Sequence, residues 1–247
     1  MQDILFFLSE NTPTGNEILL AGPLFLLWAI FSLWLAGWLK VKRGFKTGYS
    51  RKVFHFLIFA SAAVVQTFFS LRILCLFGAM VSLVIFFALV QGEGHALYEA
   101  IAREKDAPHR TYFILVPYLA TLIGGIVSNI YFSQMAVVGY LVTGLGDAIA
   151  EPVGTRFGKH EYTVPSFKGV KSTRSVEGSL AVFLASLAAI VLSLLLIDTP
   201  HVFPGNQLLR ITALAVTCTV VEAISPHGWD NATLQIIPAY LAGLILT

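Results

Sequence analysis

Charged residues are scarce in this sequence: Asp, Glu, Lys and Arg together make up 12% of its 247 residues. Hydrophobic residues make up 56%, and the mean hydropathy is +0.77. Soluble domains carry roughly twice that share of charged residues, so the composition excludes an ordinary soluble protein. It indicates instead a single membrane domain, residues 1–247, that crosses the bilayer several times as helices.

Cysteines are equally rare, since the chain has only Cys75 and Cys218. Both lie inside apolar segments, where a buried thiol is far more common than a disulfide or a metal ligand. Short alternating strands separated by turns, which are typical of membrane barrels, do not occur. We therefore predict an all-α transmembrane bundle without disulfides.

The apolar runs are long enough to cross a bilayer as helices, which takes about 17–25 residues. Eight such runs predict eight spans, at about 18–39, 52–69, 72–91, 111–131, 134–153, 178–197, 207–224 and 232–247.

The basic residues lie almost entirely on one side of this eight-span arrangement. All 16 Lys and Arg except Arg72 and Arg210 fall in the junctions 40–52, 92–110 and 154–177. By the positive-inside rule these junctions are cytoplasmic, and Thr247 lies outside. We expect the cytoplasmic membrane of a prokaryote, or otherwise the endoplasmic reticulum, with the polar chemistry facing the cytosol.

Two carboxylates one helical turn apart, Asp147 and Glu151, end the fifth predicted span. Residues at i and i+4 share one helix face, and carboxylates at membrane depth are costly unless they have a function. Such a pair suits Mg²⁺, whose coordination shell substrate phosphates can complete. A polar pair that only hydrogen-bonds between helices is the alternative. The glycines around the pair permit close approach of the backbone to a ligand.

The next junction, 155–177, is basic and rich in hydroxyls. Its cations Lys168, Lys171 and Arg174 recur every three residues, with serines and a threonine among and beside them, as expected of a phosphate-binding loop. Ser175 is predicted to cap the sixth span. Solvated positive charge near the lipid headgroups is the alternative reading. The spacing does not match a Walker A motif.

Two further polar motifs lie at predicted cytoplasmic ends. "SRKVFH" places Arg51 and His55 one turn apart at the start of the second span, either as a membrane anchor or as part of a pocket. "EAISPHGWDNAT" places Glu222 at the end of the seventh span and Asp230 at the start of the eighth. Asp230 is either a helix cap or a further metal ligand.

Taken in order, these motifs resemble those of the CTP-dependent polyprenol, dolichol and phytol kinases and the CTP-dependent diacylglycerol kinases, which are related to phosphatidate cytidylyltransferases. The family's "RKxxH" resembles Arg51–His55, its "GDxxAxxxGxxFGKH" resembles Gly146–His160, and its "E…GxDN" resembles Glu222–Asn231. Its "KSxEGS" is similar to Lys171–Ser179 with a short insertion, so either Lys171 or Arg174 takes the place of the family lysine. The motif-bearing part is about residues 50–235.

The resemblance implies a membrane enzyme that transfers the γ-phosphoryl group of CTP to the hydroxyl of an isoprenoid alcohol or of diacylglycerol, with Mg²⁺ as cofactor. It implies that the metal ligands are Asp147, Glu151 and Asp230. It implies that the catalytic residues are Asp147, Glu177, Glu222 and His55, with the proton acceptor open among the last three. It implies that the nucleotide contacts are Arg51, Lys52, Lys168, Lys171, Ser172, Arg174 and Gly178.

The expected partners are CTP, a lipid alcohol and the bilayer, and no nucleic acid. Two other functions compete with this one. Cytidylyl transfer to phosphatidate belongs to the related family, but its closing Lys-Asp and Asp-Arg pairs do not occur in "SPHGWDN". An anionic-lipid transporter would be expected to place its polar site near the midplane, whereas here the polar residues gather at one face.

Overall fold

In a computed structural model, which describes residues 2–197 and 206–246, the chain is almost entirely helical. The eleven helices among these residues are α1 Gln2–Glu10, α2 Gly15–Arg43, α3 Thr47–Phe68, α4 Leu71–Gln91, α5 Ala96–Ile101, α6 Tyr112–Phe132, α7 Ala136–Val142, α8 Ala148–Phe157, α9 Val176–Leu196, α10 Gln207–Ile224 and α11 Asp230–Ile245. Each predicted span therefore coincides with helix. Thr247 and most of the connection between α9 and α10 lie outside the described residues.

Five stretches of the described residues are long and apolar enough to cross a membrane: Gly15–Arg43, Leu71–Gln91, Tyr112–Phe157, Val176–Leu196 and Gln207–Ile224. The third is 46 residues long and contains two of the predicted spans. The helices α3 and α11, which coincide with two further predicted spans, are not among the five. The protein is a multi-pass helical membrane protein, and the number of eight spans stays a prediction.

The junction predicted as a loop over 155–177 is structured. The α8 helix continues to Phe157, and the strands β1 Glu161–Val164 and β2 Ser172–Ser175 then pair antiparallel, with Tyr162 opposite Arg174 and Val164 opposite Ser172. The all-α fold class is confirmed, and this short hairpin is the one sheet among the described residues. Sequence inspection missed it because each strand is only four residues long, too short to show alternation.

The chain forms two compact units, one up to Ile114 and one from Leu115 onward. In the first, α2 packs against α3, α4 and α5. Gly37 allows this approach, because a methyl group there would lie 3.0 Å from the Ala96 carbonyl oxygen. In the second, α9 packs against α7, α8 and α10, and α11 packs against α7 and α10. The prediction of a single domain is not decided by this division.

An ion-pair network holds the α4–α6 connection in the first unit. Arg110 donates from both terminal nitrogens to the Glu99 carboxylate, at 3.1 and 2.7 Å, and Lys40 Nζ lies 2.7 Å from Glu104 Oε1. Lys40 Nζ also donates to the Glu99 backbone carbonyl at 2.8 Å. Bidentate pairs of this kind fix geometry as well as charge. Arg110 and Lys40 therefore have a structural role in the first unit.

Candidate active site

Asp147 lies at a break in the helical backbone. The predicted fifth span is not one α-helix: α7 ends at Val142, a π-helical turn covers Thr143–Asp147, and α8 follows. A π turn inserts one residue into the helical register and is common at functional sites. Asp147 itself has right-handed helical angles and is buried. Asp147 and Glu151 therefore share a face of α8, as predicted, although the π turn was not foreseen.

The glycines near Asp147 serve helix packing, and the expectation that they also admit a ligand stays a prediction. A methyl group on Gly154 would lie 3.0 Å from Ser175 Oγ, and one on Gly178 would lie 3.1 Å from the Ala150 carbonyl oxygen. A methyl group on Gly158 would lie 2.9 Å from Ser175 Cβ. These glycines let α8 and the start of α9 approach almost backbone to backbone. The packing holds the segment that carries Asp147 and Glu151 beside β2.

Ser175 caps α9, as predicted. Its backbone is extended, and its Oγ accepts a hydrogen bond of 3.1 Å from the Gly178 backbone N–H. Arg174 directly precedes this cap. The residues Arg174–Ser179 therefore read Arg-Ser-Val-Glu-Gly-Ser, which fits the family's Lys-Ser-x-Glu-Gly-Ser without any insertion. The choice between Lys171 and Arg174 for the position of that lysine stays a prediction.

Arg174 is the centre of a buried cluster of charges. Its Nε lies 2.9 Å from Glu222 Oε1, and its Nη2 donates to Asp230 Oδ2 at 3.0 Å. The side chain of Arg174 is 13% exposed, and that of Glu222 is 5% exposed. Burial alone lowers the pKa of Arg174, but the charges of Asp230, Glu222 and Asp147 outweigh it, so that the pKa lies above its ordinary value. The structure thus brings together four of the predicted site residues.

Asp230 begins α11 but does not cap it in the usual way. Trp229 occupies the capping position without a side-chain hydrogen bond, and the second Asp230 oxygen, Oδ1, accepts from the Asn231 backbone N–H at 3.1 Å. The carboxylate therefore faces both the start of its own helix and Arg174. A cap alone does not account for Asp230, since its Oδ2 is committed to the guanidinium of another element.

Glu177, in the first turn of α9, contacts His160 just before β1. The His160 Nδ1 atom lies 2.8 Å from Glu177 Oε1, and the imidazole is 76% exposed. Nearby, the hydroxyls of Tyr162 and Ser179 lie 2.7 Å apart. Burial raises the pKa of Tyr162, which keeps this hydroxyl protonated.

The hairpin loop presents two of the predicted nucleotide contacts to solvent. Lys168 and Lys171 are exposed, whereas Ser172 and Gly178 are buried. Lys168 has a left-handed backbone angle, φ 57°, and is followed by Gly169 at φ 70°. The loop is fixed at its base, because the His227 backbone N–H donates to the Pro165 carbonyl at 2.8 Å. The turn before α11 therefore holds the hairpin in place.

Within residues 2–197 and 206–246, no three His, Cys, Asp or Glu side chains are grouped as a metal site. Magnesium does not require three such ligands, since one or two carboxylates and substrate phosphates suffice. The donor set fits this ion: three carboxylates act on the single guanidinium of Arg174, which leaves an excess of negative charge. The ligands predicted for Mg²⁺, namely Asp147, Glu151 and Asp230, stay a prediction.

Arg51, Lys52 and His55 lie near the start of α3, in the first unit. Lys52 is only 5% exposed, which does not suit a simple anchor among lipid headgroups. The His55 ring lies 4.6 Å from the Phe59 ring, one turn further along the helix. The carboxylate cluster belongs to the second unit, so a pocket shared by both groups stays a prediction.

The fold and this cluster define a multi-pass membrane protein with a buried arginine–carboxylate site at helix ends. One curated relative bears on its activity: the chain is 31% identical over 126 residues, 50% of its length, to a phytol kinase from Synechocystis sp.. The aligned region spans about half of that protein, 49% of its length. No family model matches the chain, and no solved structure matches it.

Proposed function

We propose that this protein is a membrane kinase that transfers the γ-phosphoryl group of CTP to the hydroxyl of an isoprenoid alcohol, with phytol and longer polyprenols as the first candidates. The similarity to a phytol kinase supports the reaction class and the acceptor. The four ordered motifs that resemble the CTP-dependent family support the nucleotide. The resemblance of these motifs to the same family makes diacylglycerol a further candidate acceptor.

The observation that carries the proposal is the contact of Arg174 with Glu222 and Asp230. Phosphoryl transfer requires positioning of the phosphates and neutralisation of their charge more than covalent chemistry by the protein. In this proposal Arg174 binds the phosphates, while Glu222 holds its guanidinium in a fixed orientation. The exposed Lys168 and Lys171 attract the nucleotide, and Arg51 and Lys52 stay predicted nucleotide contacts.

Asp147, Glu151 and Asp230 would hold Mg²⁺, which when bound draws charge from the phosphate oxygens. The alcohol oxygen forms a bond to the γ-phosphorus as the bond to the β-phosphate oxygen breaks, and CDP leaves. Glu222 is committed to Arg174, so we assign the alcohol proton to Glu177, whose carboxylate can pass it to His160 at 2.8 Å. His55 is the alternative acceptor.

The experiment uses the purified full-length chain in detergent with γ-labelled CTP and phytol, a long polyprenol or diacylglycerol. Transfer of label to the lipid, with release of CDP, is the expected result, and omission of Mg²⁺ should abolish it. Replacing CTP by ATP or GTP tests the donor. Phosphatidate with α-labelled CTP should give neither pyrophosphate nor labelled lipid; if it does, the protein is a cytidylyltransferase. Lack of transfer from every nucleotide to every alcohol would refute the kinase.

A further inference from the structure

Tyr162 in β1 is a neighbour of Arg174 to which the proposed function gives no role. The two residues lie directly opposite each other in the antiparallel pairing of β1 with β2. Side chains at opposite positions of an antiparallel pair lie on the same face, with their Cβ atoms about 4.5–5.5 Å apart. The side chain of Tyr162 therefore leaves the hairpin beside the aliphatic part of Arg174.

The face of the hairpin that carries this pair is the one turned toward the protein. Val164 and Ser172 form the next opposite pair on the same face, and each is only 7% exposed. Thr163 points to the other face, because successive residues of a strand alternate, and it is exposed. Neither Tyr162 nor Arg174 is exposed, so both side chains lie on the packed side of the hairpin.

The hydroxyl of Tyr162 attaches this face of the hairpin to α9. It lies 2.7 Å from Ser179 Oγ in the first turn of that helix. A two-stranded hairpin is marginally stable by itself and needs packing against another element. The Val176 backbone N–H, which donates to the His160 carbonyl at 3.0 Å, attaches the chain just before β1. The bond between Tyr162 and Ser179 adds a side-chain attachment at the level of Arg174.

Electrostatic effects also place Tyr162 close to the charged cluster. Burial is the first cause that raises the pKa of Tyr162, the hydrogen bond with Ser179 opposes it, and the Glu222 carboxylate adds to it. For Arg174, burial acts against a raised pKa, and Tyr162 is among the groups that outweigh burial. Each of the two side chains therefore acts on the other, in agreement with the strand register.

We propose that Tyr162 is a positioning residue for Arg174: its hydrogen bond to Ser179 fixes β1 against α9, and β1 fixes the strand from which Arg174 reaches Glu222 and Asp230. The two carboxylates hold the guanidinium, and the hairpin holds the other end of the side chain. A displacement of about 1 Å at such a contact can cost much of its effect on the rate. The inference rests on the proposed function in one respect, that Arg174 binds the nucleotide phosphates.

The first test is thermal unfolding of the full chain in detergent for Tyr162→Phe, Ser179→Ala and the double variant. Removing one hydroxyl leaves the other without its partner, whereas removing both leaves no unsatisfied group. The midpoint of the double variant should therefore lie close to those of the single variants. Tyr240→Phe, at an exposed tyrosine of α11, is the matched control and should leave the midpoint unchanged. Additive losses would show that the two hydroxyls act independently and would overturn the proposal.

The second test is steady-state kinetics of the same variants. Tyr162→Phe should lower kcat/KM for the nucleotide by about threefold to tenfold, the effect of one neutral hydrogen bond, while the KM for the lipid stays the same. In an Arg174→Lys background the substitution should have no further effect, because it acts through Arg174. A residue that only stabilises the hairpin would lower the midpoint and leave kcat/KM unchanged. That result, or a loss that persists at full size in the Arg174→Lys background, would contradict the positioning role.

A third measurement separates failure of this inference from failure of the proposed function. If the wild type phosphorylates no alcohol, the proposed function fails, and unfolding still decides the role of Tyr162. The midpoint losses of Tyr162→Phe and Arg174→Lys should be smaller in combination than their sum, since both act on the same contacts. If the two losses add, Tyr162 does not act on Arg174 and the inference is wrong.

Discussion

Arg174 and Asp230, 56 residues apart in the sequence, are joined by a hydrogen bond of 3.0 Å from Nη2 to Oδ2. The bond connects the β-hairpin to the start of α11. Because Glu222 at the end of α10 contacts the same guanidinium at 2.9 Å, one arginine ties together three elements that each end in the candidate site.

Arg174→Lys should therefore damage function although it keeps the charge. An ammonium group cannot contact two carboxylates and a phosphate in the fixed geometry of a guanidinium. Loss of one charge-assisted bond, about 1.5–3 kcal/mol, should lower kcat/KM for the nucleotide by about tenfold to a hundredfold. Steady-state kinetics measure this. Arg156→Lys, at an exposed position of α8, is the control, and equal effects in the two variants would contradict the role given to Arg174.

The ion pair between Glu99 and Arg110 predicts that the stability of the fold depends on pH. Hydrogen bonds from Arg110 lower the pKa of Glu99 from 4.5 to about 2. A lowered pKa stabilises the fold above the unfolded value, and the contribution is lost as the pH falls from about 4.5 towards 2.

Glu99→Gln should thus lower the unfolding midpoint at pH 7, and the difference from the wild type should shrink below pH 4.5. Thermal unfolding across this range measures it. Glu93→Gln is the control, because that side chain is 64% exposed and lies 3.8 Å from Arg110. A Glu99→Gln deficit that is constant between pH 7 and pH 3 would show that the charge of Glu99 does not matter.

The one-sided distribution of Lys and Arg predicts on which side of the membrane each junction lies. Reporter fusions at residue 165, in the hairpin loop, and after Thr247 should report opposite compartments, with residue 165 cytoplasmic. Localisation of the two reporters in cells measures this. If both report one compartment, the number of spans is wrong and the cytoplasmic placement of the hairpin loses its basis.

The long helices could be predicted from the sequence because each lies in a long apolar run. The Ser175 cap could be predicted because its signal, a serine directly before the helix, is local. The π turn before Asp147 and the hairpin could not, since both depend on packing against α9. The candidate site residues were predicted from the free-energy cost of placing charged groups among apolar residues, and their roles stay predictions. Arg174, and not Lys171, contacts Glu222 because of the register of the hairpin. Strands of only four residues are too short for that register to be predicted from the sequence.

Asp147→Asn tests whether Asp147 binds Mg²⁺. The substitution keeps the shape of the side chain and removes the charge that would bind Mg²⁺ and that also acts on Arg174. Activity should fall to background while the unfolding midpoint changes little, and Mg²⁺ should stabilise the wild type with nucleotide but not the variant. Asp3→Asn, in the N-terminal helix α1, is the control. Full activity of Asp147→Asn at ordinary Mg²⁺ would return Asp147 to the role of an interhelical hydrogen-bonding group.

Arg51→Lys separates a nucleotide contact from a membrane anchor. Anchoring needs positive charge near the headgroups and no particular geometry, so an anchor tolerates the exchange. A phosphate contact does not, because guanidinium binds phosphate oxygens through two parallel bonds and ammonium cannot.

The cost of losing one such bond, about 1.5–3 kcal/mol, corresponds to about a tenfold to hundredfold fall in kcat/KM for the nucleotide. The KM for the lipid should change much less. Kinetics in detergent for Arg51→Lys and for Lys42→Arg, an exposed position at the end of α2, measure both constants. If the two variants show equally small effects, Arg51 is an anchor, and the nucleotide is bound without this residue of α3.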